Sequence, residues 1–203
     1  MSTPMEAWPQ HHLITADEYC RMAEIGLLAP EARVELIDGE ILDMPPIGKD
    51  HESVVDHLTH ILVRAVDELA IVRVRGSVRL GSMSMPQPDV TLLKPRADFY
   101  RSRRAADSDV LLIIEVSDST LRFDHDVKVP LYARHGIPEV WIVDLKHDQL
   151  HVYRSGRDGE DRDKASTSTP GVRPIEALAQ VSVDLSRLLG RLAATKSTSE
   201  RPS

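Results

Sequence analysis

A single cysteine, Cys20, stands in the 203 residues. One thiol excludes an internal disulfide and a cysteine-based structural zinc site, and it suits a reducing, cytoplasmic setting. Aromatic residues make up only 4% of the chain. No run approaches the roughly 18 apolar residues that a membrane helix needs. The opening residues MSTPMEAWPQHH have neither a basic start nor an apolar stretch, so no secretory signal is expected there. A Gly-rich phosphate loop, a nucleophile elbow and a dinucleotide fingerprint are all missing. Nucleotide-driven motors, serine hydrolases and dinucleotide oxidoreductases are set aside on that ground.

What remains is an ordinary soluble composition, 41% hydrophobic and 28% charged, at a length that suits one domain. The net charge of −7 argues against a generic nucleic-acid binder, but it is unevenly spread. Residues 1–72 balance to −10, whereas residues 73–104 balance to +6 through Arg73, Arg75, Arg79, Lys94, Arg96, Arg101, Arg103 and Arg104. That basic segment flanks Asp89 and is suited to attracting phosphate.

Hydrophobic spacing orders the elements. Residues 1–12 read as a flexible tail, 13–190 as a single domain and 191–203 as a disordered tail. Thr15 and Glu18 have capping-box spacing and predict a helix to about Leu28. Val34–Ile37 and Glu40–Leu42 predict two strands about an Asp38-Gly39 turn. Val54, Val55, Leu58, Ile61, Leu62, Ala65, Val66 and Leu69 recur at helical spacing, with Asp50 as the candidate cap. A strand is expected from Ile71 to Leu80, with Arg73 and Arg75 on one face, and a short one over Val90–Leu93. Val110–Val116 is apolar enough to lie centrally in the sheet. A helix over about 124–135 contains Pro130 and stops at Gly136; strands follow at Val140–Val143 and Leu150–Tyr153. Residues 155–172 read as a loop, and Val181–Leu189 as a short element packing back. The fold class is α/β in the mixed α+β sense, a central mixed sheet flanked by helices.

Two acids stand out. Asp89 follows Pro88 and opens Val90–Leu93; Glu115 closes the run Val110–Ile114. A carboxylate at the tip of a buried strand is costly without a positive partner, so two of them suggest a shared divalent cation. Hard oxygen donors favour Mg²⁺ or Mn²⁺. Ser117 shares the strand face of Glu115, where a lysine would lie beside the metal, and a serine cannot supply that charge. Lys128 is the nearest substitute, placed to steady an attacking water or the developing phosphorane charge. Tyr132 lies one helical turn further on and reads as mainly structural. His51 falls in phase with Val55, Leu58 and Leu62 and so points inward, towards metal-bound water, phosphate or a core-edge partner. His57 and His60 lie on the opposite side of that helix. Glu35 is either a third acid or an ion-pair partner.

Taken in order, Arg33 to Glu40 (RVELIDGE), His51, Gln87-Pro88-Asp89, Ile114 to Thr120 (IEVSDST) and Lys128 to Asp144 (KVPLYARHGIPEVWIVD) resemble the Uma-two family of restriction-endonuclease-like proteins. That family is a branch of the PD-(D/E)XK nuclease-like superfamily, and the resemblance runs from about Thr15 to Leu189. It implies a restriction-endonuclease-like core, Asp89, Glu115 and the Val116 carbonyl as Mg²⁺ or Mn²⁺ ligands, and a lysine displaced from position 117 to Lys128. Glu35 and His51 fall on family motif positions. The expected function is metal-dependent hydrolysis of DNA phosphodiesters by a cytoplasmic endonuclease, with a homodimer convenient for cutting both strands. The alternatives are a catalytically inactive nucleic-acid-binding or protein-interaction module on the same fold, and a hydrolase of smaller phosphate esters.

Overall fold

The computed structural model describes residues 11–155 and 161–189. The two expected tails therefore fall largely outside the described residues. The Thr15 capping box forms as read: the Thr15 hydroxyl accepts from the Glu18 amide, and the Glu18 carboxylate accepts from the Thr15 amide. Helix α1 (Ala16–Glu24) ends a turn earlier than the expected Leu28. Strands β1 (Val34–Ile37) and β2 (Glu40–Asp43) pair antiparallel about Asp38 and Gly39, whose φ angles of 47° and 85° define a type I′ turn.

Helix α2 (Lys49–Val66) buries His51, Val55, Leu58, Leu62 and Val66 along one stripe. Its N-cap is Gly48 and not Asp50; Asp50 lies inside the first turn, where a negative charge suits the helix dipole. Strand β3 (Ile71–Val74) is shorter than the expected Ile71–Leu80. Arg75 takes φ 49° and turns the chain away, so Arg73 and Arg75 do not share a strand face. Strand β4 (Val90–Leu93) and the wholly buried β5 (Val110–Ser117) follow, as expected of the apolar runs.

A helical crossover then joins β5 to its parallel neighbour. It comprises a single turn α3 (Leu121–Phe123), a π-helical stretch Asp124–Lys128 and α4 (Val129–Arg134), so it begins three residues before the expected start. Pro130 sits in the first turn of α4, where its missing N–H disrupts least. Strands β6 (Glu139–Asp144), β7 (Gln149–Ser155) and β8 (Asp161–Thr167) complete the sheet. Its order is β3-β4-β5-β6-β7-β8, and only β5 and β6 run parallel. Strand β8 corrects the expectation of an unbroken loop over 155–172. The element expected at Val181–Leu189 proves to be part of a hairpin of β9 (Val172–Ile175) and β10 (Leu178–Asp184).

Leu112, Ile114 and Val116 pack towards α2, with Val55, Leu58, Leu62 and Trp141. Ile113 packs on the other face with Ile142, Leu131 and Tyr132 of the crossover. Alternation along β5 consequently aims Glu115 and Ser117 at the crossover helix. Among the described residues no helix is long and apolar enough to cross a membrane.

Candidate metal and phosphate site

The antiparallel register of β4 and β5 pairs Val90 with Ile114. Extending it by one residue sets Asp89 opposite Glu115, on the same face at one end of the sheet. This is the physical basis for the acid pair, since each carboxylate ends an apolar segment that the core holds rigid. The Val116 amide donates to Asp89 Oδ2 at 2.9 Å, and His51 Nε2 lies 3.0 Å from the same oxygen. His51 reaches it from the first turn of α2, buried as its helical phase required.

Lys128 enters from the crossover. Its Nζ donates to Glu115 Oε1 at 3.2 Å and to Glu35 Oε1 at 3.1 Å, and lies 3.9 Å from Asp124 Oδ1. All four groups are buried. Tyr132 donates its hydroxyl to Glu115 Oε1 at 2.5 Å. Asp124, Lys128 and Tyr132 follow one another at intervals of four, and the wide π-helical turn keeps the first two pointing inward together. At position 117 the serine hydroxyl donates to Asp124 Oδ2 at 2.7 Å, and Thr120 donates to the same oxygen at 2.6 Å. Ser117 thus supplies no charge itself and instead fixes an acid that faces Lys128.

Charge in this cluster is unbalanced. Burial raises the Glu115 carboxyl well above the ordinary range; Lys128 pulls it down, but Asp124, Asp89 and Glu35 push it further up. Burial likewise raises Glu35, with Lys128 opposing. Burial works to lower the Lys128 ammonium, yet Glu115, Glu35 and Asp124 outweigh it and hold the lysine protonated. The Tyr132 phenol is raised far up, first by burial and then by Glu115 and Glu35, and remains a donor.

A cleft with about 520 Å³ of empty space opens onto these groups and is lined by Glu35, His51, Asp89, Glu115, Asp124 and Lys128, among others. Asp89 Oδ1 and Glu115 Oε2 accept no hydrogen bond from the described residues, and Glu35 Oε2 is buried without a partner. Three carboxylates facing Lys128 and a fourth, Asp89, lining the same cleft, with spare hard oxygens on Asp89 and Glu115, suit a divalent cation. No group of three or more His, Cys, Asp and Glu side chains among the described residues is arranged to hold a metal without help.

Glu35, His51, Asp89, Glu115, Val116 and Lys128 thus line one cleft. Glu35 is the ion-pair partner of Lys128, and Tyr132 supports Glu115 through its hydroxyl. Asp124 and Thr120 were missed. The only signal for Asp124 was its spacing of four from Lys128, which any exposed helical acid might share. Three of the eight cations in the basic segment are paired, Arg79 with Asp17, Arg96 with Asp98 and Arg103 with Asp109.

The Uma2 family model, described as "Putative restriction endonuclease", matches residues 16–186. A crystal structure of a "putative nuclease belonging to DUF820" from Anabaena variabilis superposes with a TM-score of 0.64. The alignment has 17% identity and covers 86% of this chain and 97% of that one, which shows a shared fold. No curated protein matches the chain.

Proposed function

We propose, from the premise that the chain belongs to the Uma2 family of restriction-endonuclease-like proteins, that it is a metal-dependent endonuclease cleaving DNA phosphodiesters. One observation carries this reading. Lys128, from a helix, places its ammonium 3.2 Å from Glu115, opposite Asp89, and so restores the cation that Ser117 does not supply. Asp89 and Glu115, with the Val116 carbonyl, are the residues that would hold Mg²⁺ or Mn²⁺. When bound, such an ion supplies Lewis acidity at the phosphate and lowers the pKa of a coordinated water.

The chain's own residues do the rest. His51 and the Val116 amide hold Asp89 by one oxygen and leave the other to the cleft. Tyr132 and Lys128 do the same for Glu115. Lys128, protonated and gripped by Glu35, is a fixed positive charge for the attacking water or the phosphorane oxygens.

The test is nicking of supercoiled plasmid in Mg²⁺, Mn²⁺ or EDTA. Asp89→Asn, Glu115→Gln and Lys128→Met should each lower the rate by about 100-fold or more, as loss of a charge-stabilising group does. Wild-type rates in Asp89→Asn would overturn the assignment. The engagement of Lys128 by two carboxylates favours a second reading, a DNA-binding module without catalysis. Metal-independent DNA binding with no nicking would select it.

A further inference from the structure

The connection between β4 and β5 displays an aromatic side chain that nothing in the fold covers. Phe99 is 72% exposed, more than any other large apolar side chain among the described residues. It is held there by a built loop. Phe99 and Tyr100 take φ angles of 50° and 62°, two successive non-glycine residues in the left-handed region that the surrounding contacts must hold. Asp98 organises the turn, accepting from the amides of Tyr100 and Ser102, the Ser102 hydroxyl and the Arg96 guanidinium. Tyr100 faces inward, donates its hydroxyl to the Lys94 carbonyl at 2.8 Å, and has Arg73, Arg96 and Arg103 at 5.2, 5.7 and 5.3 Å from its ring centroid. Arg103 is in turn tied to Asp109 at 2.5 and 2.8 Å.

These contacts fix Tyr100 inside and leave Phe99 outside, on a loop that also carries Arg101 and Arg104. The side chains of Arg101 and Arg104 are exposed and form no ion pair or hydrogen bond with the described residues. Residues 94–104 balance to +4 in a chain of −7, so this surface complements a polyanion while most of the molecule repels one. The backbone of the basic segment reaches the acid site along the sheet edge. Arg73 lies in edge strand β3, and Arg75, exposed just beyond it, donates its amide to the Asp89 carbonyl at 3.0 Å. An exposed aromatic ring on a loop with two exposed arginines that form no ion pair is equipment for stacking an unpaired base while neutralising neighbouring phosphates.

We infer that Phe99, Arg101 and Arg104 form a docking surface for a single-stranded segment of nucleic acid, Phe99 stacking on a base and the two arginines contacting phosphates. This deepens and rests on the nuclease reading: the substrate would carry an unpaired stretch on the β3 side of the scissile phosphate.

The test is fluorescence anisotropy of the full chain in Ca²⁺ with labelled dT20 and a mixed-sequence 20-base-pair duplex. Phe99→Ala should weaken dT20 about five-fold or more, the loss of one base–aromatic stack, and leave the duplex within about two-fold. Arg101→Ala/Arg104→Ala should weaken both probes and reduce the salt slope on dT20 by about 1.4, the value for two lost phosphate contacts. All three side chains are exposed, and unchanged thermal melts would show that the variants fold. Wild-type dT20 affinity in either variant overturns the inference, as does an equal loss on dT20 and duplex in Phe99→Ala. A wild-type self-association abolished by Phe99→Ala, with dT20 binding unchanged, would reassign the surface to a second copy of the chain. Plasmid nicking retained beside unaltered dT20 binding rejects this surface alone. A wild type that binds dT20 through these residues yet nicks nothing rejects the nuclease reading and keeps the surface.

Discussion

Glu115 shows how a single side chain links stability to chemistry. Its carboxyl is raised by burial foremost, and by Asp124, Asp89 and Glu35, despite the Lys128 ammonium beside it. A group whose pKa is higher in the folded state contributes stability below its unfolded value and loses that contribution as pH rises through the folded value. In metal-free protein the melting temperature of wild type should therefore fall relative to Glu115→Gln as pH rises from 4.5, the ordinary glutamate value. Calorimetric melts of both proteins in EDTA between pH 4 and pH 8 check it. A difference that stays flat, or widens in favour of wild type, would show that Lys128 fully compensates the carboxylate. Asp89 and Glu115 were legible because each ends an apolar run, which marks a charge that the core forces into one place. Asp124 was not, because an acid on a polar helix face looks the same whether it meets water or a buried lysine.

Elements were legible in proportion to how much apolar surface they bury. Helix α2 is legible from its periodicity and strand β5 from its unbroken apolar run, and both form where those patterns put them. The errors lie at edges. Strand β8 hides in a polar, breaker-rich stretch because an edge strand needs only backbone pairing to β7. Beyond Val74 the alternation over-predicted β3, since Arg75 leaves the ladder with a positive φ that side-chain polarity does not reveal. The β1–β2 turn was legible from Asp38-Gly39, and its geometry makes a sharp prediction. Gly39 has φ 85°, and a Cβ there would lie 2.6 Å from Leu13 Cβ and 2.9 Å from Met83 Cε. Gly39→Ala should destabilise the protein by about 1–3 kcal/mol through backbone strain and displacement of Leu13. Because β1 carries Glu35, the same variant should also lose nicking activity. Urea titration measures the first effect and the plasmid assay the second. Unchanged stability would mean that the hairpin shifts freely.

At the scale of the whole molecule, the acid cleft concentrates negative charge that folding alone does not neutralise. Glu35, Glu115 and Asp124 converge on one lysine, and Asp89 lines the same cleft, in a chain already at −7. A cation that binds the folded cleft and not the unfolded chain adds stability as RT ln(1 + [L]/Kd), about 2.7 kcal/mol at a hundred times Kd. For a protein of this size that corresponds to a rise of roughly 5–10 °C in Tm. Mg²⁺ or Mn²⁺ should produce such a rise in wild type at constant ionic strength, with the NaCl concentration lowered to match. Asp89→Asn and Glu115→Gln should be more stable than wild type without metal, or nearly equal to it, and should show little further gain when metal is added. The control that decides the matter is Asp144→Asn. Asp144 is also buried at a strand tip, but its carboxylate is already satisfied by the amides of Lys146 and His147 and by the His147 ring. It should keep the full metal response. An equal response in Asp89→Asn and Asp144→Asn would place the cation away from the acid pair and remove the physical basis of the proposed site.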